Sequence, residues 1–590
     1  MKIKKIVSQI FNPINDILKY VEIYKKFLGL KIYLGFSLFI ISNILEGIGI
    51  LMFIPLLESL SKNQFHSDNQ HSFILENIVK IFQLINVDLN SFNLVIFIIF
   101  SILIKSLFLY LAFSYIAFLR SDLTVILKKK IYKTFSNISY GYYQKLSISH
   151  TNNLLNEQSN RAVLAYYYLN QLISAVCVTL VYLAVSVSVD ISVVLLCVPI
   201  VLLLIFLSKT LVSDVRLASR FFSSQSSILT KQSIQFLQNF KYLKATNNIN
   251  FSDKEIYNSI YKLSSYEKKI GRSQAGTLSL KEPIVLIIIL IAIYYKVVML
   301  GQSLEQTLVS FLCVYRSLTG ILSIQGYSQQ TFQFVGSIEA IDSELSIQRK
   351  NFEKSGKRKI TNLREAILMK DLTFSFENRS KEIFKNVNLK INAFETIGII
   401  GKSGVGKSTF IDILTTLITP SSGDLIIDSI KSNEIDKASW RSRIAFVKQD
   451  VDIFEGTIES NINIESKKVN YQFQQKKLKE VSKIVGIYEF INSLPKGFQT
   501  KVGERGLNLS GGQRQRIGIA RELFREPSLL ILDEVTSSLD VNSENQIIKC
   551  IKSIKGKLTI IIISHKYNIL DDCDRIFEIK NSRFRELRKI

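Results

Sequence analysis

The first half of the chain carries apolar stretches too long and too continuous for the core of a water-soluble domain. Ile32–Leu57 reads IYLGFSLFIISNILEGIGILMFIPLL, and Phe92–Leu119 reads FNLVIFIIFSILIKSLFLYLAFSYIAFL. A helix needs about 20 apolar residues to cross a bilayer, and both stretches exceed that. Ala162–Ser208 is long enough for two more spans, with a tight turn near Val187–Asp190. Pro283–Leu300 begins a fifth, and Thr307–Ile324 is a less apolar sixth. These stretches predict an all-α membrane domain of six spans.

The charge agrees with that reading. A formal net charge of +25 would suggest nucleic acid in a uniformly polar chain, but 47% of the residues are apolar. The basic excess then belongs to cytoplasmic loops, and no nucleic-acid partner is expected. The connections after spans one, three and five hold few basic residues, Lys62 and Lys80 in the first. Those after spans two and four hold Lys128, Lys129, Lys130, Lys133, Arg216, Arg220, Lys241, Lys244, Lys268 and Lys269. The positive-inside rule puts these segments and both termini in the cytoplasm, and the expected location is a bacterial inner membrane. Both basic segments are too long for simple loops and read as helices continuing below the bilayer.

The start, MKIKKIVSQIF, has the charge of a signal peptide without its apolar length or cleavage site, and the first arginine is Arg120, which argues against a transit peptide. Residues 5–30 read instead as an amphipathic helix on the inner membrane surface, giving an elbow over 1–30 ahead of a membrane domain over 31–340. The cysteines Cys177, Cys197 and Cys313 sit in apolar runs, and no CxxC spacing occurs, so neither a disulfide framework nor a zinc site is expected.

From about Ile341 the character changes. Gln348–Asn362 is basic and lacks apolar periodicity, so a linker is expected over 341–365. Residues 366–590 alternate strands with amphipathic helices, the pattern of an α/β domain.

The chemistry lies in that second part. Thr396–Leu417 reads strand, glycine loop, helix. Within it Gly401, Lys402, Ser403, Gly404, Val405, Gly406, Lys407 and Ser408, followed by Thr409, fit the phosphate loop GxxxxGK[ST]. Its glycines let successive N–H groups turn inward around phosphates, and the helix adds its positive end. Lys407 is placed to reach the β- and γ-phosphates of ATP, and the Ser408 hydroxyl to ligate Mg²⁺. The apolar strand LLILDE, Leu529–Glu534, ends in two carboxylates. Asp533 falls beside the metal, and Glu534 is the candidate general base for the attacking water. His565 closes LTIIIISH and is expected at the γ-phosphate; Gln449, after the strand RIAFVKQ, is expected to reach metal and water. Phe376, in LTFSFEN, is expected to stack on the adenine, or else to be strand core.

These elements in this order resemble the ATP-binding cassette family: six spans ahead of one cassette, as in a bacterial half-size exporter. LSGGQ, Leu509, Ser510, Gly511, Gly512 and Gln513, is similar to the family signature. Ser537–Asp540 is similar to its D-loop, with Asp540, and Thr500–Gly506 to the segment preceding the signature. The resemblance implies a type IV exporter membrane domain followed by a P-loop α/β nucleotide-binding domain with a helical subdomain. It also implies that the signature grips ATP bound to another cassette's phosphate loop. One cassette supplies half of each of two sites, so a second chain is required, most simply a copy of this one, with a different half-transporter as the alternative. Three residues depart from the common pattern without removing a catalytic group: Phe376 for tyrosine, Phe394 where glycine is usual, and Lys448 before Gln449. Coupling helices are expected near Ser149–Asn156 and Gln235–Lys244.

Ionisable residues inside spans call for a function. Glu46 in span one, Lys105 in span two and Arg316 in span six are candidates to line a cavity; Glu46 and Arg316 could equally form an internal ion pair. Glu282 falls near a span end and reads as interfacial. An apolar cavity with mixed charge suits an amphipathic substrate, such as a lipid, a lipid-linked oligosaccharide or a modified peptide, and Lys105 with Arg316 could attract a pyrophosphate. A hydrophobic drug is the alternative cargo. Too few residues precede span one for a leader-cleaving peptidase domain, so secretion coupled to proteolytic maturation is not expected. The spans exclude a soluble DNA-repair ATPase, and intact Glu534 and His565 argue against a gated channel or a hydrolysis-dead regulator.

Overall fold

The computed structural model describes residues 17–53, 55–56, 90–189, 191–299, 304–376, 382–464, 471–503, 506, 508–537 and 539–587. They divide into two compact units, Met1–Ile138 with Lys145–Phe352, and Ser139–Gln144 with Glu353–Ile590.

The first unit is helical: α1 (Lys31–Leu51), α2 (Ser91–Ser136), α3 (Ser159–Val189), α4 (Ile191–Gln238), α5 (Asp253–Ile293) and α6 (Leu304–Lys350). With 46 residues, α2 is about 70 Å long, more than twice a hydrocarbon core of about 30 Å, so half of it extends beyond the bilayer. Its surface changes accordingly. In the upper half Ile99, Leu103 and Leu107 form an i, i+4 stripe exposed by 53%, 62% and 57%, as a lipid-facing surface should be. In the lower half Leu119, Leu123, Leu127 and Ile131 form an equivalent stripe that is buried. It packs with Ala162, Tyr166 and Leu169 of α3 and Val335, Ile338, Ile341 and Leu345 of α6. Residues 17–28 are helical, and Tyr20 and Tyr24 enter the same core; Tyr24 donates to the Ala162 carbonyl at 2.7 Å. The first part of the expected elbow, 1–16, and the loop carrying Lys62 and Lys80 lie outside the described residues, as do the side chains of Glu282, Cys197 and Cys313.

Among the described residues three helices are long and apolar enough to cross a membrane: Lys31–Leu51, Ser91–Ser136 and Ile148–Val187. The other three expected spans fall on α4, α5 and α6, each with side chains outside the described set.

Two expectations are corrected. The linker expected over 341–365 starts later, because α6 continues to Lys350. Ile341 and Leu345 are buried one turn apart, which keeps that segment helical, and Arg349 and Lys350 occupy the last turn, where cations favour the helix dipole. The segment expected as the first coupling helix, Ser149–Asn156, is not a separate short helix. Ile148–Asn153 runs through the π-type turn Leu154–Gln158 into α3, so it begins a long helix. The separate short helix in that connection is Tyr140–Tyr143. In the other long connection the short helix is Phe240–Ala245, overlapping the expected segment.

The second unit is built on a six-stranded sheet in the order β10-β9-β3-β8-β7-β6, with β3 (Thr396–Ile400), β6 (Ile444–Val447), β7 (Leu529–Asp533), β8 (Thr559–Ile563), β9 (Arg575–Lys580) and β10 (Arg583–Leu587). All pairs are parallel except β9–β10. The period of two in a strand explains how an all-apolar strand serves two cores. Leu529, Ile531, Ile561 and Ile563 face one core, and Leu530, Leu532, Ile560 and Ile562 face the other. On the first face lie α7 (Lys407–Leu414), Trp440 and an antiparallel sheet of β1 (Ala366–Phe374), β2 (Phe384–Asn392), β4 (Ser422–Ile427) and β5 (Ile430–Lys431). On the second lie α8 (Tyr471–Ile484), α9 (Gly511–Phe524) and α10 (Val541–Ile554).

Candidate nucleotide site

The carboxyl ends of β3, β7 and β8 lie side by side, which is where open α/β sheets hold their ligands. Register fixes the arrangement. Asp533 ends β7 opposite Ile563 of β8, the Glu534 N–H donates to the Ile563 carbonyl at 2.9 Å, and the Ser564 N–H donates to the Ile399 carbonyl of β3. Glu534 and His565 therefore emerge beside the loop that follows β3.

That loop turns into α7 through Gly406, whose φ is 116°. A Cβ there would lie 2.7 Å from Ile383 Cγ2, so both backbone conformation and space require glycine. Lys407 follows as the first residue of α7 and is buried. Its ammonium donates to the Gly401 carbonyl at 3.0 Å, contacts His565 Nε2 and lies 3.1 Å from Glu534. His565 Nε2 is itself 3.3 Å from the same Glu534 oxygen. Glu534 has a φ of 49°, a left-handed backbone that a glutamate seldom adopts and that aims its side chain at Lys407. The Gln449 amide donates to the Ser537 hydroxyl at 3.1 Å, and that hydroxyl donates to the Glu534 carbonyl at 2.9 Å. Four of the sequence-predicted residues, Lys407, Glu534, His565 and Gln449, thus share one site, joined by Ser537, the first residue of the D-loop-like stretch, whose bridging part the sequence did not indicate.

The metal question turns on the carboxylates. Burial pushes the Asp533 carboxyl up; the neighbouring Glu534 charge adds to this and Lys407 opposes it. Asp412, on α7 one turn beyond Ser408, is pushed up to about 6 by burial and by the Asp533 charge. Two crowded carboxylates beside a helix-borne serine hydroxyl are undercompensated, and a divalent cation would relieve them. No group of three or more His, Cys, Asp or Glu side chains that could hold a metal occurs among the described residues. That donor set fits Mg²⁺, which takes one or two carboxylates and completes its shell with waters and substrate phosphate. Asp412 went unremarked in the sequence, although its i+4 spacing from Ser408 was the signal.

The signature is structured by its own cap. Ser510 Oγ accepts from the Gln513 N–H at 3.2 Å, and the Ser510 N–H donates to Gln513 Oε1 at 2.8 Å, a capping box that opens α9. Gly512 packs so closely on α10 that a Cβ would lie 2.8 Å from Ser543 Cβ. Asp540 caps α10 by accepting from the Ser543 N–H at 3.0 Å. Signature and D-loop are thereby fixed to each other. The polar partner of Ser510 is Gln513, and no hydrogen bond among the described residues links it to the phosphate loop. Arg521, also on α9 and 8% exposed, ties this helix to the segment after Gln449: it donates to the Asn461 and Asp452 carbonyls at 2.7 and 2.8 Å and lies over the Phe454 ring.

Phe376 meets Phe374 edge-on, with centroids 5.1 Å apart, and packs against the first core. Phe394 has a φ of 64°, which explains why glycine is usual there, and its N–H donates to Thr559 Oγ1.

In the first unit Glu46 pairs with Lys105 at 2.8 Å and not with Arg316, correcting one of the two expectations for it. The Tyr182 hydroxyl donates to the same carboxylate.

The family profile described as ABC transporter matches residues 384–537. The chain is 32% identical over 295 residues to "ABC transporter B family member 29, chloroplastic" of Arabidopsis thaliana, covering 50% of this chain and 46% of that protein. It is 26% identical over 460 residues to the "Heterocyst differentiation ATP-binding protein HepA" of Nostoc sp., covering 78% and 75%. With the "ATP-dependent lipid A-core flippase" of Escherichia coli it shares 29% over 327 residues, 54% and 55% of the two chains. The first and third of these matches thus span about half the length of the relative. In fold it is similar to a bacterial Atm1-family ABC exporter solved with ATP bound, with a TM-score of 0.75 over 95% of both chains at 19% identity. With the phosphate loop, the carboxylate-ended strand and the signature on one cassette that follows a helical unit in the sequence, residues 384–537 match the ABC transporter family, and the chain as a whole is similar in fold to an ABC exporter.

Proposed function

We propose that this protein is an ATP-driven exporter or flippase that moves an amphipathic substrate out of the cytoplasmic leaflet by alternating access. The observation that carries the reading is the convergence of Lys407, Glu534 and His565 at the ends of β3, β7 and β8. It supports a site in which a cation meets phosphate oxygens, a carboxylate takes a water proton and an imidazole assists, the equipment of phosphoryl transfer to water.

ATP binds with its phosphates in the loop from Gly401 to Ser408 and its adenine against Phe376. Glu534 takes the proton of the attacking water, His565 holds the γ-phosphate, and Gln449 orients the water. Ser408, Asp533 and Gln449 would hold Mg²⁺, which would supply neutralisation of phosphate charge. Ser510 of a second copy closes the site, so two sites form between two cassettes. Cassette closure on ATP biases the membrane helices outward, and hydrolysis resets them. The short helices Tyr140–Tyr143 and Phe240–Ala245 carry the coupling. The positive-inside pattern supports a cytoplasmic cassette in a bacterial inner membrane. The names of the relatives, a lipid A-core flippase among them, support a lipid, lipid-linked saccharide or similar amphiphile as cargo.

The test is reconstitution in vesicles with a panel of lipid-linked saccharides, lipids, peptides and drugs. The expected result is ATP hydrolysis stimulated by one class, with directional movement of that class. ATP hydrolysis accompanied by ion conductance and no directional movement of any solute overturns the reading in favour of a gated channel.

A further inference from the structure

Three ionisable groups that the sequence singles out sit deep in the membrane unit, on different helices. Glu46, Lys105 and Arg316 lie about 22, 21 and 18 Å along α1, α2 and α6 at 1.5 Å per residue, well inside a hydrocarbon core of about 30 Å. They are not equivalent. Glu46 and Lys105 form an ion pair at 2.8 Å, with side chains 16% and 24% exposed. The Tyr182 hydroxyl of α3 donates to the carboxylate as well. This set cancels its own charge, and its members are engaged with one another.

Arg316 is left over. It is exposed, and its charge reaches the Glu46 carboxylate, although Lys105 and Tyr182 hold that carboxylate directly. Its guanidinium has no hydrogen-bond or ion-pair partner among the described residues. The turn that carries it is fixed against α3, because the adjacent Ser317 is buried and its hydroxyl lies 3.3 Å from that of Ser186, one turn beyond Tyr182. Four helices therefore present one neutral, braced ion pair and one unspent guanidinium, a net single positive charge at mid-depth. An unpaired arginine at that depth is expensive, and such residues face a cavity or a ligand pathway. Its planar fork matches the two oxygens of a phosphate or carboxylate.

We infer that Arg316 is the anion-recognition group of the transport path, taking the phosphate or carboxylate head of an amphipathic substrate, with Tyr182, Glu46 and Lys105 as its neutral brace. This rests on the export reading and narrows it. Because Glu46 occupies Lys105, Arg316 is the unpaired cation of these three groups, which favours anionic over cationic head groups.

The experiment reads binding without ATP. Full-length protein in phosphatidylcholine nanodiscs is titrated with radiolabelled hexadecyl phosphate, with palmitate, hexadecyltrimethylammonium and inorganic phosphate as competitors. Hexadecyl phosphate binds and palmitate competes, whereas the ammonium amphiphile and inorganic phosphate do not. Arg316→Gln weakens binding about tenfold or more, as loss of a charge-assisted pair should. Arg316→Lys retains more affinity than Arg316→Gln, and Glu46→Gln, which releases Lys105, tightens anion binding. If Arg316→Gln fails to assemble, the other two variants carry the test. Wild-type affinity in both Arg316 variants, or equal competition by the ammonium amphiphile, overturns the inference. So does equal competition by inorganic phosphate, which assigns the site to a free anion. A wild-type protein that transports with no head-group preference sinks the inference alone, and one that binds the phosphate head but never hydrolyses ATP sinks the export reading alone.

Discussion

The Lys407 ammonium lies 3.1 Å from the Glu534 carboxylate, and the His565 ring shares the same oxygen at 3.3 Å. The two charged groups proposed to handle phosphate and water are therefore in contact, one from the helix after β3 and the other from the end of β7. Glu534→Gln preserves the shape of the side chain and removes its basicity. The expected result is a fall in kcat of about 10²–10⁴-fold, the usual contribution of a general base, with ATP binding retained. Lys407→Ala should instead lose ATP affinity. Steady-state hydrolysis and equilibrium nucleotide binding on both variants separate the two roles.

Arg521 is the buried joint between the signature helix and the segment after Gln449. Hydrogen bonds from a charged donor each contribute about 1.5–3 kcal/mol. Arg521→Gln should lower the stability of the cassette by about 2–4 kcal/mol, and Arg521→Lys by less. Thermal unfolding followed by the fluorescence of Trp440, which is fully buried in the cassette, measures both.

Phe394 is 53% exposed and held at a φ of 64°, so its ring gains little from burial while its backbone is strained. Phe394→Gly should raise stability by about 1 kcal/mol, provided the bond from its N–H to Thr559 is kept. The same unfolding measurement tests it, and a lower midpoint would contradict it.

Glu353 clasps Arg441 through two bonds of 2.8 and 2.6 Å. Burial alone would push its carboxyl up, but the hydrogen bonds and charge of Arg441, helped by Lys437, outweigh that and hold it below the usual range. A carboxyl depressed in the folded state binds fewer protons there than in the unfolded chain. Its stabilisation is present above the unfolded value and is lost as the pH falls through the folded one. Glu353→Gln should therefore cost about 1–2 kcal/mol at pH 7, and the difference from wild type should shrink progressively below about pH 4.5.

Much of this site was legible because its chemistry is written in short, contiguous stretches. The phosphate loop and LLILDE each place their residues by local strand or helix geometry, so spacing pointed to Lys407 and Glu534, whereas Ser510 was singled out by the resemblance of LSGGQ to a family signature. What escaped were choices among distant partners. Glu46 could have met Lys105 or Arg316 by sequence, and only the packing of α1 on α2 decides. Ser537 opens the D-loop-like stretch and Arg521 lies in no motif; both matter here because folding brings Gln449 and Asp452 beside them. The end of α6 was misplaced because the basic residues from Arg349 onward mask the buried Ile341 and Leu345 just before them.

The most direct test of the central claim, that ATP is held between two cassettes, mixes two defective chains. Lys407→Ala removes a phosphate loop and leaves its signature intact; Ser510→Arg does the reverse. Each variant assembled alone is expected to be inactive, and co-assembly is expected to restore hydrolysis to a fraction of wild type, because a mixed pair contains one complete composite site. Wild-type turnover by Ser510→Arg alone, or a mixture no more active than its two components, would contradict the account.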